Sequence, residues 1–297
     1  MKFAAREEFR VIFCTYRDGD GERIGIVDRD AGTVVPVAFE GDMVALIRCH
    51  DRADRVPKAS APATPLRDAQ LLAPLSHPRR NLFCVGKNYR EHAREFSRSG
   101  FDASARQTEE IPEFPIIFTK PASTVIAPGA AIERHADLTS ELDYEAELAV
   151  IIGRGGRGIA AADAHGHVWG YTIVNDVTAR DLQKRHRQWL IGKSLDGFCP
   201  MGPWIVSADE IDAGNLDVKC WVNGELRQDA NTRDMIFDIP TLIATLSAGI
   251  TLEPGDIIAT GTPAGVGIGF TPPRFLASGD EIRIAIAGIG ELVNNVA

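Results

Sequence analysis

Twelve consecutive residues, Leu142-Asp143-Tyr144-Glu145-Ala146-Glu147-Leu148-Ala149-Val150-Ile151-Ile152-Gly153, constrain this chain more than any other stretch. Alternation along a strand puts Asp143, Glu145 and Glu147 on one face with Ala149 and Ile151. The opposite face carries Leu142, Tyr144, Ala146, Leu148, Val150 and Ile152. Beyond Glu147 both faces are apolar, so the strand is expected to enter a core and hold its acids at the mouth. Carboxylates set side by side in a half-buried place repel each other, and they need a cation or shared protons to coexist. A hard divalent metal is the simplest resolution.

A second apolar strand, Val168-Trp169-Gly170-Tyr171-Thr172-Ile173-Val174-Asn175-Asp176, ends in an acid. The residues after it, Val177 to Gln183, read as the opening of a helix, which places Asp176 at a strand-to-helix corner. Glu145, Glu147 and Asp176 would form an all-oxygen site that favours Mg²⁺ or Mn²⁺ over zinc. On spacing alone the same residues are accounted for equally well by an edge-strand glutamate pair and a helix N-cap. A Glu-x-Glu strand is a weak signal by itself.

Several further motifs occur in a fixed order: Asn81-Leu82-Phe83-Cys84-Val85-Gly86-Lys87-Asn88-Tyr89-Arg90-Glu91-His92-Ala93-Arg94-Glu95, the Leu142 strand, Asn175-Asp176-Val177-Thr178-Ala179-Arg180-Asp181, Gly192-Lys193-Ser194-Leu195-Asp196-Gly197-Phe198-Cys199-Pro200, and Thr260-Gly261-Thr262-Pro263-Ala264-Gly265-Val266-Gly267. In that order they resemble the catalytic domain of the fumarylacetoacetate hydrolase family, in its smaller acylpyruvase-like branch. The match runs from about residue 80 to the C-terminus, over two thirds of the chain. The resemblance implies a mixed β-roll or sandwich, a homodimer, and metal ligation by Glu145, Glu147 and Asp176.

His92 and Glu95 stand three apart, within hydrogen-bonding reach on a helix. A carboxylate-backed imidazole is a competent general base, although spacing alone favours a surface ion pair. The resemblance implies a His-Glu pair that activates water. The polar run 96–110 reads as a lid over substrate. Lys193 follows Gly192, yet the phosphate-loop pattern fails because position 187 is Arg. The resemblance instead implies a lysine aimed at the metal site, where its charge would stabilise an enolate. Small residues around Thr262 let the backbone approach a ligand, and its hydroxyl could donate to a carboxylate. Arg180 and Gln183, one turn apart, are candidates for binding substrate carboxylate. Lys184 to Arg187 reads as a solvated basic face, and His165 with His167 lacks a third metal ligand.

Composition narrows the function classes. A formal net charge of −9 argues against sequence-independent nucleic-acid binding, which needs a basic face. No apolar run reaches the length of a membrane span, and the opening residues do not read as a signal peptide. The five cysteines are scattered without a C-x-x-C pair, as expected of reduced thiols in a cytoplasmic protein.

The fold class expected is α+β and β-rich, with a small β-rich N-terminal domain and linker over 1–75 and a catalytic domain over 76–297. Residues 57–80 hold five prolines (Pro57, Pro62, Pro65, Pro74 and Pro78) and read as a surface linker. Helices are expected near 43–47, 160–166, 178–188 and 239–248. The activity expected is Mg²⁺- or Mn²⁺-dependent hydrolysis of a C–C bond in an acylpyruvate-like 2,4-diketo acid. In it His92 and Glu95 activate water, and Lys193 neutralises the enolate. The alternatives are decarboxylation of an oxaloacetate-type keto acid, or a 2-hydroxyhepta-2,4-diene-1,7-dioate-type isomerisation on the same site. A degenerate member that binds metal or ligand without turnover is the non-enzyme alternative, disfavoured by the full set of polar residues.

Overall fold

The acid-bearing strand lies at the centre of the protein. In the computed structural model, which describes residues 11–19, 21–51, 56, 62–101 and 111–297, all seven residues of Ala146–Ile152 are buried. The strand pairs antiparallel with Val168–Asn175 (Glu147 opposite Val174) and with Ile257–Ala259 (Ala149 opposite Ala259). Leu148, Val150 and Ile152 point into one core together with Ile173, Val218 and Ile284. Ala149 and Ile151 point into another with Phe13, Leu46 and Trp169. Burial of each large aliphatic here contributes about 1.5–3 kcal/mol. Packing on both faces holds the strand rigid where its acids begin.

One long mixed sheet runs from Thr33–Pro36 through Gly21–Asp28, Ile12–Asp18, Cys199–Ser207, Val168–Asn175, Ala146–Ile152, Ile257–Ala259 and Leu82–Gly86 to Ile116–Lys120. Most neighbours are antiparallel, but Ile257–Ala259 and Leu82–Gly86 run parallel. A four-stranded antiparallel sheet, Glu225–Asn231, Asp217–Val222, Glu281–Ile286 and Gly290–Asn295, covers the larger core. This is the β-rich α+β roll expected. Helices Met43–Cys49, Arg180–His186 and Ile239–Ser247 and the 3₁₀ segment Ala161–His167 lie where periodicity put them.

Three local expectations are revised. The Leu142 strand is broken, because Leu142–Asp143 pairs separately with Thr178–Ala179 before Ala146 enters the main sheet. Side chains take over the ladder at the break: Asp143 accepts from the Tyr144 amide at 2.9 Å and Asn175 from that of Glu145 at 3.0 Å. Asp143 therefore leaves the face of Glu145 and Glu147. Next, the helix after Asp176 opens only at Arg180, with Ala179 in the capping position, so Asp176 is not an N-cap. Finally, part of the stretch read as a surface linker is core. Leu72, Ala73 and Leu75 are buried, and Leu71–Leu72 pairs with Thr15 and Tyr16. The prolines obscured the apolar run between them.

The N-terminal strands join the long sheet edge to edge, with Ile12 opposite Val206 and Phe13 opposite Ile205. Residues 57–61 of the linker, residues 9 and 10 of the first expected strand, and residues 102–110 of the expected lid lie outside the described residues. Among the described residues no helix is long and apolar enough to cross a membrane.

Candidate active site

Glu145 and Glu147 flank the point where the strand enters the sheet, and Asp176 follows the end of the neighbouring strand. Their registers bring them together, since Ala146 pairs with Asn175 and the Asp176 amide donates to the Glu145 carbonyl at 2.9 Å. Oxygens from all three carboxylates lie within 4.8 Å of one another, and all three residues are buried. The triad read from sequence is thus assembled.

Cations crowd two of the three acids. The Lys193 ammonium lies 2.8 Å from Glu145 and 2.7 Å from Asp176. Lys120, with no exposure at all, donates to Asp176 Oδ1 at 2.7 Å, to the Val177 carbonyl at 3.1 Å, and to the Lys193 carbonyl. Arg180 reaches Asp143 with Nε at 2.8 Å and Glu145 with Nη2 at 2.8 Å. Burial alone would push the Glu145 acid up, but Lys193, Arg180 and His92 together bring it down to about 2. Burial would likewise strip the Lys193 proton, yet Asp176 and Glu145 hold its affinity above that of a free lysine.

Glu147 is different. Its carboxylate accepts from the Gly261 amide at 2.8 Å, and among the described residues no cationic side chain pairs with it. Burial, then Asp176, then Glu145, push its acid well above the ordinary glutamate range. An all-carboxylate donor set with one acid uncompensated fits a hard divalent cation, which would add charge where it is missing.

The dyad is built as well. His92 sits on helix Arg90–Arg98 and is buried, with Nδ1 3.1 Å from Glu95 Oε2. A carboxylate partner fixes the proton on Nδ1, which leaves Nε2 as the basic nitrogen. Glu95 is pinned in turn by the Gly265 amide at 2.9 Å. A Cβ on Gly269 would lie 1.7 Å from Glu95 Oε1, so the glycine-rich loop wraps the carboxylate closely. This is no surface ion pair.

His92, Glu145, Arg180, Gln183, Lys193 and Thr262 line one cleft. Phe96, Phe118 and Trp189 form its apolar wall. Gly192 lets the Lys193 turn press onto the preceding helix, because a Cβ there would lie 2.5 Å from the Gln183 amide nitrogen. That close approach, rather than a phosphate loop, explains Gly192-Lys193. Thr262 Oγ1 accepts from Gln228 Nε2 at 2.8 Å, which directs its own proton elsewhere. Gln183 accepts from Arg180 Nη1 at 3.2 Å.

Sequence reading missed Lys120, Gln228 and the role of Asp143. Asp143 accepts from the Gly267 amide at 2.6 Å and from Arg180, tying the glycine-rich loop to the helix beside the triad. Lysine at the inner end of the apolar strand Ile116–Lys120, followed by proline, was the available signal for a buried cation. Lys184, Arg185, His186 and Arg187 are solvent-exposed, as expected. His167 is a structural residue, with Nδ1 2.6 Å from the Arg154 carbonyl.

A family model described as the C-terminal domain of fumarylacetoacetate (FAA) hydrolase matches residues 81–297. The chain belongs to the fumarylacetoacetate hydrolase family. Oxaloacetate tautomerase YisK of Bacillus subtilis (strain 168) is 56% identical over 232 residues, covering 78% of this chain and 74% of that one. A fumarylacetoacetate hydrolase from psychrophilic Exiguobacterium antarcticum superposes with a TM-score of 0.80 at 42% identity, covering 96% of this chain and 99% of that one. The 2-hydroxyhepta-2,4-diene-1,7-dioate isomerase from Mycobacterium marinum gives 0.77 at 34% identity, covering 97% and 98%. This member of the family is therefore an enzyme by descent. Its similar relatives bear tautomerase and isomerase names alongside hydrolase, so hydrolysis loses the priority that sequence reading gave it.

Proposed function

We propose that this family member is a divalent-metal-dependent keto–enol isomerase of a small 2-keto diacid of the oxaloacetate type. The observation that carries the reading is a buried carboxylate triad and a His92–Glu95 pair that reach one cleft through Glu145 and His92, in a chain 56% identical to an oxaloacetate tautomerase.

Mg²⁺ or Mn²⁺ held by Glu145, Glu147 and Asp176 would polarise the 2-keto oxygen and balance the charge of an enolate. The chain's own residues do the rest. Interconversion removes the proton from the enol oxygen and delivers one to C3, or the reverse. Nε2 of His92 takes and returns that proton, while Glu95 holds the ring and supports its charged form. Thr262, with its hydroxyl proton directed away from Gln228, donates to the substrate's C1 carboxylate. Gln183 offers its amide N–H groups to the same end, because its oxygen is engaged by Arg180. Arg180 acts as a positioning residue rather than a substrate ligand, its guanidinium being held by Asp143 and Glu145. Lys193 keeps two triad carboxylates ionised and lends its charge to the enolate. The aromatic wall excludes water from the reacting carbon.

Hydrolysis of an acylpyruvate is the second reading, favoured by the same His92–Glu95 pair, which is equally able to deprotonate a water. A panel separates them: enol oxaloacetate, 2-hydroxyhepta-2,4-diene-1,7-dioate and acetylpyruvate, each with and without Mg²⁺. Metal-dependent isomerisation exceeding C–C cleavage upholds the proposal. Cleavage of acetylpyruvate as the dominant activity replaces it with the second reading.

A further inference from the structure

We infer that Gln228 is a positioning residue: its buried amide compels the Thr262 hydroxyl to act as a hydrogen-bond donor in the cleft, and so tunes that position to a carboxylate. The inference rests on the keto-acid reading above and supplies the residue behind its carboxylate contact.

Gln228 lies on the strand Glu225–Asn231, in the sheet that covers the larger core, and has no exposure at all. A bulge sits beside it. Gln228 stands opposite Cys220 but Leu226 stands opposite Trp221, so Arg227 is the extra residue. Bulges re-aim the side chains around them, and they collect beside active sites. The glycine-rich loop lies directly on this one, because a Cβ on Gly265, whose φ is +100°, would collide with the Arg227 carbonyl. Gln228 is thereby set between that loop and the strand that carries Glu145 and Glu147, with hydrogen bonds to both.

Two backbone groups fix which way its amide faces. Oε1 accepts from the Ala146 amide at 3.1 Å, and an N–H can only donate. Nε2 donates to the Pro263 carbonyl at 2.8 Å, and a carbonyl can only accept. The amide cannot turn over without breaking both bonds. Its second Nε2 hydrogen therefore goes to Thr262 Oγ1, 2.8 Å away, and the hydroxyl has to accept it. A hydroxyl carries one proton, so that of Thr262 is turned away from Gln228. Among the described residues no other group takes it, and Thr262 lines the cleft. A carboxylate, which offers acceptors alone, is the complement of such a donor. Thr262 touches the substrate, and Gln228 acts through it.

The test is a double-mutant cycle read by calorimetry. Oxalate presents a carboxylate beside a second oxygen, as the C1–C2 end of the substrate does. It is titrated into the Mg²⁺-loaded wild type, Gln228→Met, Thr262→Val and the double variant. Thr262→Val should raise the Kd about ten- to a hundredfold, the scale of one hydrogen bond to a charged group. Gln228→Met should raise it about tenfold, since the hydroxyl proton is then free to turn. In the Thr262→Val background, Gln228→Met should change the Kd by less than about twofold, because the group it works through is gone. Additive losses would make Gln228 a structural brace and overturn the inference. So would an unchanged Kd in either single variant, or no oxalate binding by the wild type. Gln228→Glu keeps an oxygen for Ala146 and removes the N–H donors, and it takes the place of Gln228→Met in the cycle if that variant fails to fold. A wild-type Kd in Gln228→Glu likewise overturns the inference. Oxalate binding needs no turnover, so a wild type that binds oxalate but does not isomerise enol oxaloacetate sinks the proposed activity alone, and the cycle still decides Gln228.

Discussion

Lys193 places its ammonium 2.7 Å from Asp176 Oδ2, with both side chains shut away from solvent. The same ammonium reaches Glu145, and Lys120 holds the other Asp176 oxygen. Two triad acids are thus matched by internal cations, whereas among the described residues none pairs with Glu147.

Removing one partner of a buried pair leaves the other charge uncompensated, at a cost of about 3–5 kcal/mol. In Lys120→Met the Lys193 ammonium still faces Asp176, so the loss should be part of that, about 1.5–3 kcal/mol for hydrogen bonds to a charged group, in urea unfolding. The substitution should also weaken Mg²⁺ binding, because Asp176 loses its orientation. A stability change under 1 kcal/mol would show that Lys120 is not holding the site together.

The pH dependence has a definite sign. Glu145 lies below the ordinary range, so its contribution is present above about pH 4.3 and lost as pH falls through about 2. Glu147 is raised, so its contribution is complete below the ordinary glutamate range and is lost as pH rises through its elevated value. Chelator-treated protein should then lose stability as pH rises above the ordinary glutamate range. Mg²⁺ affinity should grow over the same rise, as the metal displaces the Glu147 proton. Glu147→Gln should flatten both trends and raise the Tm of metal-free protein at pH 8. A Tm for that variant below the wild-type value there would contradict the assignment.

His92→Ala should lower turnover by about 10²–10⁴-fold, the usual worth of a general base. Glu95→Gln should cost less, since it loosens the orientation of the ring rather than removing it. Calorimetric Mg²⁺ binding should survive in both variants. Loss of metal binding in His92→Ala would make it a structural residue.

Gly192→Ala should cost about 1–3 kcal/mol, as overpacking does, because the new methyl meets the Gln183 backbone. The displaced Lys193 should be felt in kcat. Wild-type activity in this variant would mean that the two helical turns are free to slide apart.

Much of this site was legible because its residues sit in short motifs with strong local geometry. Glu145, Glu147, Asp176, His92 and Glu95 were each read from strand alternation, a strand end or helix spacing, helped by motif order. What escaped reading was non-local. Lys120 lies 56 positions from its partner Asp176, and Gln228 lies 34 from Thr262, with no periodicity linking either pair. Asp143 was misassigned because strand alternation presumes an unbroken ladder, which side-chain bonds from Asp143 and Asn175 interrupt at Tyr144 and Glu145. The edge-to-edge union of Ile12–Asp18 with Cys199–Ser207 is likewise a long-range pairing that composition cannot reveal.

The most direct test of the central claim follows the ultraviolet absorbance of freshly dissolved enol oxaloacetate with Mg²⁺-loaded wild-type protein, beside acetylpyruvate cleavage under the same conditions. Enol-to-keto conversion should be accelerated well above the buffer rate, abolished by chelation, and larger in kcat/KM than acetylpyruvate cleavage. No acceleration over buffer, or a larger kcat/KM for acetylpyruvate, would contradict the account.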